Sequence, residues 1–337
     1  MDSVLAPAGI QAARIFELWN LTLAICTAVF AAVLFAVLLA LIKASRRARE
    51  EKDEGPREDD PGLRLESPGS ERRPRRAVIA GTAVSVFLLC VLLVTDFATD
   101  HALSRLPTAG ALQIEVVGHQ WWWEGRYRSA AGADGASDAT GGGDFSVANE
   151  FTVPVGRTVS VSLKSVDVIH SLWVPALFGK KDMIPGRSTE MVFRADRPGI
   201  YRGQCAEFCG TEHAFMAFSI EAVAPETYAR WEEAQRASAS PPAASTAAER
   251  GWQLFGTMGC AQCHTVRGTA AAGGLGPDLT HLASRRTLAA GTLPNQREAL
   301  ARWISDPQQL KPGTTMPATR LPPDQLQDLA SYLESLR

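Results

Sequence analysis

From Trp19 to Ile42 the chain runs for 24 residues without a charged side chain, and Ala77 to Thr95 is a second uncharged stretch of similar Leu, Ala and Val character. In hydrocarbon every backbone N–H and C=O must be satisfied within the segment, which makes a helix the conformation for such a span. About 20 residues cross a core ~30 Å thick, so both runs are long enough, with a buried core helix as the competing reading of each. A cleaved signal peptide does not fit, because no basic segment opens the chain and the first run is too long. Between the runs, Arg46, Arg47 and Arg49 flank the first, and Arg72, Arg73, Arg75 and Arg76 flank the second. Basic residues near helix ends mark the cytoplasmic side. The loop 43–76 is therefore cytoplasmic, both chain ends lie outside, and the long segment after Thr95 is periplasmic or its equivalent. The loop's Pro-, Glu- and Arg-rich centre reads as disordered.

The 34 basic and 36 acidic residues nearly cancel, so no charge excess points to nucleic acid. Cys26 and Cys90 lie within the apolar runs and read as small buried hydrophobes. The other four cysteines form two close pairs, Cys205/Cys209 and Cys260/Cys263, in the oxidising compartment. Two disulfides are arithmetically possible, but each pair is followed closely by a histidine, which a disulfide framework does not require.

The first pair sits in Cys205-Ala-Glu-Phe-Cys209, followed by His213 and Met216. Thiolate, imidazole and thioether donors select copper over calcium or magnesium. His170 supplies the imidazole that a second metal needs. The combination points to a two-copper electron-transfer centre with bridging thiolates. Tetrahedral zinc could use Cys205, Cys209, His213 and His170, but it leaves Met216 without a role.

Around this cluster, Leu112 to Gly118, Phe151 to Val155, Val159 to Leu163, Met191 to Ala195 and Ala217 to Glu221 alternate apolar and polar residues between Gly, Pro and Asp punctuation. Short strands at this spacing predict an all-β sandwich or barrel. Ser129 to Asp144 reads as a mobile insertion. Trp121, Trp122 and Trp123 are consecutive, and in a strand Trp121 and Trp123 share one side. Core filling and a membrane-interface belt are the plain uses for such a run.

Beyond the low-complexity stretch Ala237 to Ala248, read as a flexible linker, the pattern turns helical. Ala248 to Phe255, Gln296 to Ile304 and Pro323 to Leu336 are amphipathic, the last with a proline start. Cys260-Ala-Gln-Cys263-His264 is the c-type haem attachment motif, with His264 as proximal ligand. Met316 in Gly313-Thr-Thr-Met-Pro317 is the expected sixth ligand, and a Met/His pair suits electron transfer. His281 competes for that place, and Met258 lies too near the attachment loop.

Gly118-His-Gln-Trp-Trp-Trp-Glu124, Asp167-Val-Ile-His-Ser-Leu-Trp-Val-Pro175, Asp182-Met-Ile-Pro-Gly186, Gly199-Ile-Tyr-Arg-Gly-Gln-Cys-Ala-Glu-Phe-Cys-Gly210 and His213-Ala-Phe-Met216 together resemble subunit II of haem-copper cytochrome c oxidases, here with a C-terminal fused cytochrome c domain. The resemblance implies a multi-domain chain: a two-helix transmembrane hairpin (1–100, helices near 19–42 and 77–97), a cupredoxin-like all-β barrel (108–228), a linker (229–248) and an all-α class I cytochrome c domain (249–337).

In the copper site called CuA, the resemblance implies that Cys205 and Cys209 bridge both coppers. His170 and His213 would each bind one, with Met216 and the Glu207 backbone carbonyl as weak ligands. The Glu207 carboxylate would bind a Mg or Mn ion at the contact with subunit I, its plain alternative being a surface glutamate. Trp121 is the implied point at which electrons arrive, and His119 reads as structural. Gly276-Pro-Asp-Leu279 resembles the loop of small c-type cytochromes in which the carbonyl of the proline, here Pro277, orients the proximal histidine.

The implied role is the electron-input subunit of a terminal oxidase in a bacterial inner membrane. It would pass electrons from haem c through CuA to subunit I, with subunit III beside it. The external donor would be a cytochrome c or a quinol–cytochrome c reductase complex. Oxygen chemistry belongs to another chain, because this one lacks the His-rich helices for it. The competing readings are the input subunit of a CuA-type nitric oxide reductase and a tethered carrier with no fixed partner. One departure stands out. Where the family opens its second helix with an acidic motif tied to proton uptake, this chain reads Arg72-Arg-Pro-Arg-Arg-Ala-Val-Ile, with Glu71 the nearest carboxylate.

Overall fold

The computed structural model describes residues 3–53, 72–103, 106–128 and 143–337. The centre of the 43–76 loop, Glu71 and most of the Ser129 to Asp144 insertion lie outside them.

Helices α1 (Ile10–Asp53) and α2 (Arg72–Leu103) carry the two apolar runs. Both are longer than the runs because an apolar stretch measures only the hydrocarbon crossing. Ala, Arg, Glu and Lys after Ile42 are good helix formers and continue α1 beyond it. Phe30, Phe35, Leu39, Val78, Leu93 and Phe97 are all exposed on these helices, as suits side chains that face lipid. Cys26 and Cys90 are exposed too, which corrects their reading as buried within the protein. The chain start belongs with the β domain rather than with a hairpin. Ala8 N–H donates to Ala176 C=O (2.7 Å), Asp196 N–H donates to Ala8 C=O (2.8 Å), and Gly9 bridges Ala195.

The β domain is a cupredoxin-like pair of five-stranded sheets. One runs β3 (Phe145–Ala148), β2 (Trp122–Tyr127), β1 (Leu112–His119), β5 (Val159–Ser165), β8 (Thr189–Phe193). The other runs β4 (Glu150–Pro154), β10 (Ala217–Val223), β9 (Gly199–Cys205), β6 (His170–Val174), β7 (Phe178–Met183). Alternation delivers side chains from both sheets to one core, where Trp123, Tyr127, Leu163, Phe178, Met183 and Phe193 are fully buried. Removing a large apolar side chain of this kind from water contributes about 3 kcal/mol.

Residues 225–236 form helix α3 (Pro225–Arg236), with proline in its first turn and Glu226 suited to the N-terminal dipole. Its Trp231 packs edge-on against Tyr127 (5.2 Å) and Phe145 (5.7 Å). The linker expected over 229–248 therefore begins after a docked helix. Nor is the remainder a free coil. Ala239 N–H donates to Arg267 C=O (2.9 Å), and Ala237 C=O accepts from His281 Nε2 (3.1 Å).

The C-terminal domain contains α4 (Ala247–Thr257), the short α5 (Cys260–Cys263), α6 (Arg297–Ser305), α7 (Pro307–Leu310) and α8 (Pro323–Ser335), along with a two-stranded ribbon. Thr246 caps α4 by accepting from Glu249 N–H (3.2 Å). Phe255 on α4 meets Tyr332 on α8 edge to face at 5.7 Å, and Leu300, Ile304, Leu329 and Leu333 complete the core.

Candidate metal and haem centres

β9 and β10 are antiparallel, with Gln204 opposite Ala217, so the loop between them returns to its own starting point. That loop carries Cys205, Cys209, the 3-10 turn His213–Phe215 and Met216. β6 pairs with β9 through Leu172 and Cys205, which brings in His170 from the strand's first position.

His170 Nδ1 and the Glu207 carbonyl lie 3.9 and 3.1 Å from Cys205 Sγ. His213 Nδ1 and Met216 Sδ lie 3.6 and 3.7 Å from Cys209 Sγ. Each thiol thus faces one imidazole and one weaker donor. The donor atoms of His170, Cys205 and Cys209 lie within 4.8 Å of one another. Both cysteines, His170 and Met216 are buried, while His213 is half-buried. A buried set of soft donors fits copper.

The Cys205 thiol sits far below its ordinary pKa, chiefly because it is hydrogen-bonded to Cys209, with His170 assisting against burial. Cys209 is displaced upward for the complementary reason and by burial. Asp167 Oδ1 lies 2.8 Å from His170 Nε2 and leaves Nδ1 for the thiol. Burial lowers the His170 pKa, but Asp167 and Cys205 outweigh it and raise it. At Gly118 a Cβ would stand 2.8 Å from His170 Cδ2, so the missing side chain is the space the ring occupies. Sequence reasoning gave no role to Asp167 or Gly118, although both stand in the motifs it quoted.

The half-exposed Glu207 carboxylate lies 3.7 Å from Lys180 Nζ, which also pairs with Asp182 at 2.9 Å. These two carboxylates offer hard oxygen donors beside a surface cavity of about 460 Å³ lined by Trp173, Lys180 and His213.

In the C-terminal domain Cys260, Cys263, His264 and Met316 line one cavity of about 550 Å³, walled in part by Trp303 and Ile304. His264 Nδ1–H donates to Pro277 C=O at 2.8 Å, which turns Nε2 into the cavity as an iron ligand requires. Burial lowers the His264 pKa and keeps the ring neutral. A Cβ at Gly276 would stand 2.6 Å from His264 Cε1, so this ring too rests where a side chain is missing. Paired thiols, a neutral histidine and a thioether around one apolar cavity fit a covalently held haem. His281 has its Nε2 engaged by Ala237, and Met258 lines the cavity rim beside the attachment helix.

The three tryptophans have separate environments. Trp123 is wholly buried, its Nε1–H directed at Met216 C=O (3.4 Å). Trp122 stacks on His119 at 4.1 Å. Trp121 precedes β2 in a turn rather than lying in the strand, and its Nε1–H donates to Cys209 C=O at 2.9 Å. Trp121 and Trp122 both line the haem-sized cavity.

This fold and these sites define a membrane-anchored electron-transfer protein, a cupredoxin-like domain followed by a c-type cytochrome domain. Residues 112–223 match the family described as cytochrome c oxidase subunit II, periplasmic domain, and residues 248–337 match cytochrome c. Cytochrome c oxidase subunit 2 of Alkalihalophilus pseudofirmus is 33% identical over 341 residues, covering 99% of this chain and 91% of the relative. The Bacillus subtilis protein of the same name is 26% identical, covering 77% and 74%. Among solved structures, the periplasmic domain of subunit II of cytochrome oxidase from Bradyrhizobium japonicum is 33% identical over 37% of this chain and 93% of its own, with a TM-score of 0.32. The chain belongs to the cytochrome c oxidase subunit 2 family. It is a subunit of a cytochrome c oxidase, an oxidoreductase. Its cytochrome c domain implies haem and its subunit II domain implies copper.

Proposed function

We propose that this chain takes electrons onto a haem c held by residues 249–337, passes them to a binuclear CuA centre, and delivers them to the subunit I that reduces oxygen to water. Trp121 is the observation that carries this reading. It lines the haem-sized cavity and its indole donates to the carbonyl of Cys209, so one side chain adjoins both sites. When bound, copper and haem supply reversible one-electron chemistry.

The chain's residues hold and orient these groups. Cys205 and Cys209 would hold the metal pair between them, His170 and His213 would each bind one ion, and Met216 and the Glu207 carbonyl would be the weaker ligands. Asp167 fixes the His170 ring, and Pro277 fixes His264. Cys260 and Cys263 would form the thioether links to a haem, and Met316 would serve as a further ligand to its iron. The Glu207 carboxylate offers an oxygen ligand to a Mg or Mn ion shared with subunit I. The chain resides in a bacterial inner membrane, with subunit III in the same complex and a cytochrome c or a quinol–cytochrome c reductase complex as donor.

Stopped-flow reduction of the purified complex tests this. Haem c absorption should change first, and a near-infrared copper band should follow. A Cys205→Ser variant should lose the copper band and keep the haem bands. Copper reduced ahead of haem, or haem bands lost with the thiol of Cys205, would overturn the reading.

A further inference from the structure

The haem domain does not hang from its linker. Ala217 N–H, at the start of β10, donates to Ala290 C=O (3.2 Å). The Glu150 carboxylate on β4 accepts from Arg286 N–H (3.0 Å), Thr287 N–H (2.8 Å) and Thr287 Oγ1–H (2.6 Å). Between these contacts and the ligand loop, Lys311 inserts from the end of α7. It is 2% exposed, and its Nζ donates to the backbone carbonyls of Trp121 and Phe215, both at 3.0 Å.

A buried ammonium is costly unless its donors are satisfied and its charge is met. Two carbonyls satisfy it here. Glu212, also 2% exposed and with no hydrogen-bond partner for Oε2, supplies the opposite charge. Burial pulls the Lys311 pKa down to about 8, with the Glu212 charge opposing, so the ammonium form persists at neutral pH. An apolar side chain could fill this volume, but only a donor selects these two carbonyls. One belongs to Trp121 itself, whose indole reaches Cys209, and the other precedes Met216.

We propose that Lys311 is a positioning residue for haem-to-copper electron transfer, holding the haem domain in one orientation over Trp121 by seating its ammonium on the carbonyls of Trp121 and Phe215. This rests on the function proposed above. In the step it serves, one electron leaves ferrous haem and reduces the oxidised copper pair; no bond breaks and no proton moves. Because the contact is buried, it is screened little by salt. A diffusing donor held by surface charge behaves oppositely.

The test is flash-induced electron transfer in the whole purified complex, with wild type, Lys311→Met and Lys311→Arg compared at low and high salt. Wild-type transfer should be independent of ionic strength. Lys311→Met should slow it about tenfold or more, since small displacements of reacting groups carry large rate penalties, with haem and copper bands unchanged. Lys311→Arg should recover most of the rate. A Lys311→Gln variant, which keeps a donor at this position without the charge, should lose less than Lys311→Met and serves if that variant assembles poorly. Wild-type rates in Lys311→Met, or wild-type transfer that slows steeply with added salt, would overturn the proposal. No haem-to-copper transfer in the wild type would instead overturn the function on which it rests.

Discussion

The indole N–H of Trp121 donates to the backbone carbonyl of Cys209 across 2.9 Å, and the same carbonyl also accepts from Gln120 Nε2 at 2.8 Å. The two donors separate the tryptophan's uses. Trp121→Phe keeps an aromatic ring at the cavity wall but removes one donor, while Gln120 still holds the ligand loop. The variant should retain its copper absorption and show haem-to-copper transfer slowed on the order of tenfold to a hundredfold. Flash photolysis with absorption at both centres reads the two effects separately, and an unchanged rate would remove Trp121 from the path.

Asp167 orients the proposed ligand His170 from outside the metal site. Its Oδ1 lies 2.8 Å from His170 Nε2 and accepts from Val168 N–H at 2.7 Å, while Oδ2 accepts from Gln120 N–H at 2.6 Å. Partners of this kind commonly contribute about ten- to a hundredfold in metal affinity. Asp167→Asn should therefore surrender copper to a competing chelator at correspondingly lower chelator concentration. Equal retention in both proteins would show that the β6 backbone alone sets the ring.

Some of this architecture could be read from residue order because local spacing carries it. Cys205, Cys209, His213 and Met216 share one loop, and Cys260, Cys263 and His264 share one turn, so folding changes their distances little. Strands β1, β4, β5, β8 and β10 announced themselves by alternation. What escaped depends on contacts between remote segments. Lys311 and Trp121 are 190 positions apart, and Gln120 and Asp167 are 47 apart; no periodicity encodes either contact. The stretch from Ala237 looked like free linker because its anchors are backbone groups, which Ala and Ser supply as well as any residue. Helix α3 was readable, since Pro225 and Glu226 are a helix start, but the low-complexity stretch beside it masked the signal.

Glu115 gives the β domain an acid-sensitive element away from either centre. It is buried on β1, with Lys164 at 2.6 Å and Arg126 and Arg128 at 3.0 Å each. Burial would raise its pKa, but the Lys164 hydrogen bond and the Lys164 and Arg126 charges outweigh it and hold the carboxyl below the usual 4.5. A depressed folded-state pKa contributes stability above the unfolded value and loses it as pH falls through the folded one. Wild type should therefore lose β-domain stability below about pH 4.5. Glu115→Gln should be less stable at neutral pH and show a flatter acid limb. Thermal unfolding followed by near-ultraviolet circular dichroism across that range decides it. Parallel acid limbs in the two proteins would assign the sensitivity to other groups.

Gly276 makes the same kind of room for His264 that Gly118 makes for His170. A Cβ there would meet His264 Cε1 at 2.6 Å and Nδ1 at 2.9 Å. The ring cannot yield freely, because Nδ1–H is tied to Pro277 C=O and Gly276 N–H is tied to Cys263 C=O at 2.8 Å. Gly276→Ala should therefore tilt the ring and weaken the Pro277 hydrogen bond. That bond raises the basicity of the opposite ring nitrogen, and a more basic axial ligand favours ferric iron. Weakening it should raise the haem midpoint potential by on the order of 40 mV, the one-electron equivalent of about 1 kcal/mol for a hydrogen bond. A higher potential at the donor should also slow reduction of the copper pair. Redox titration of the haem band measures the potential, and an unshifted midpoint in a variant that still binds haem would show that the ring is held independently of Gly276.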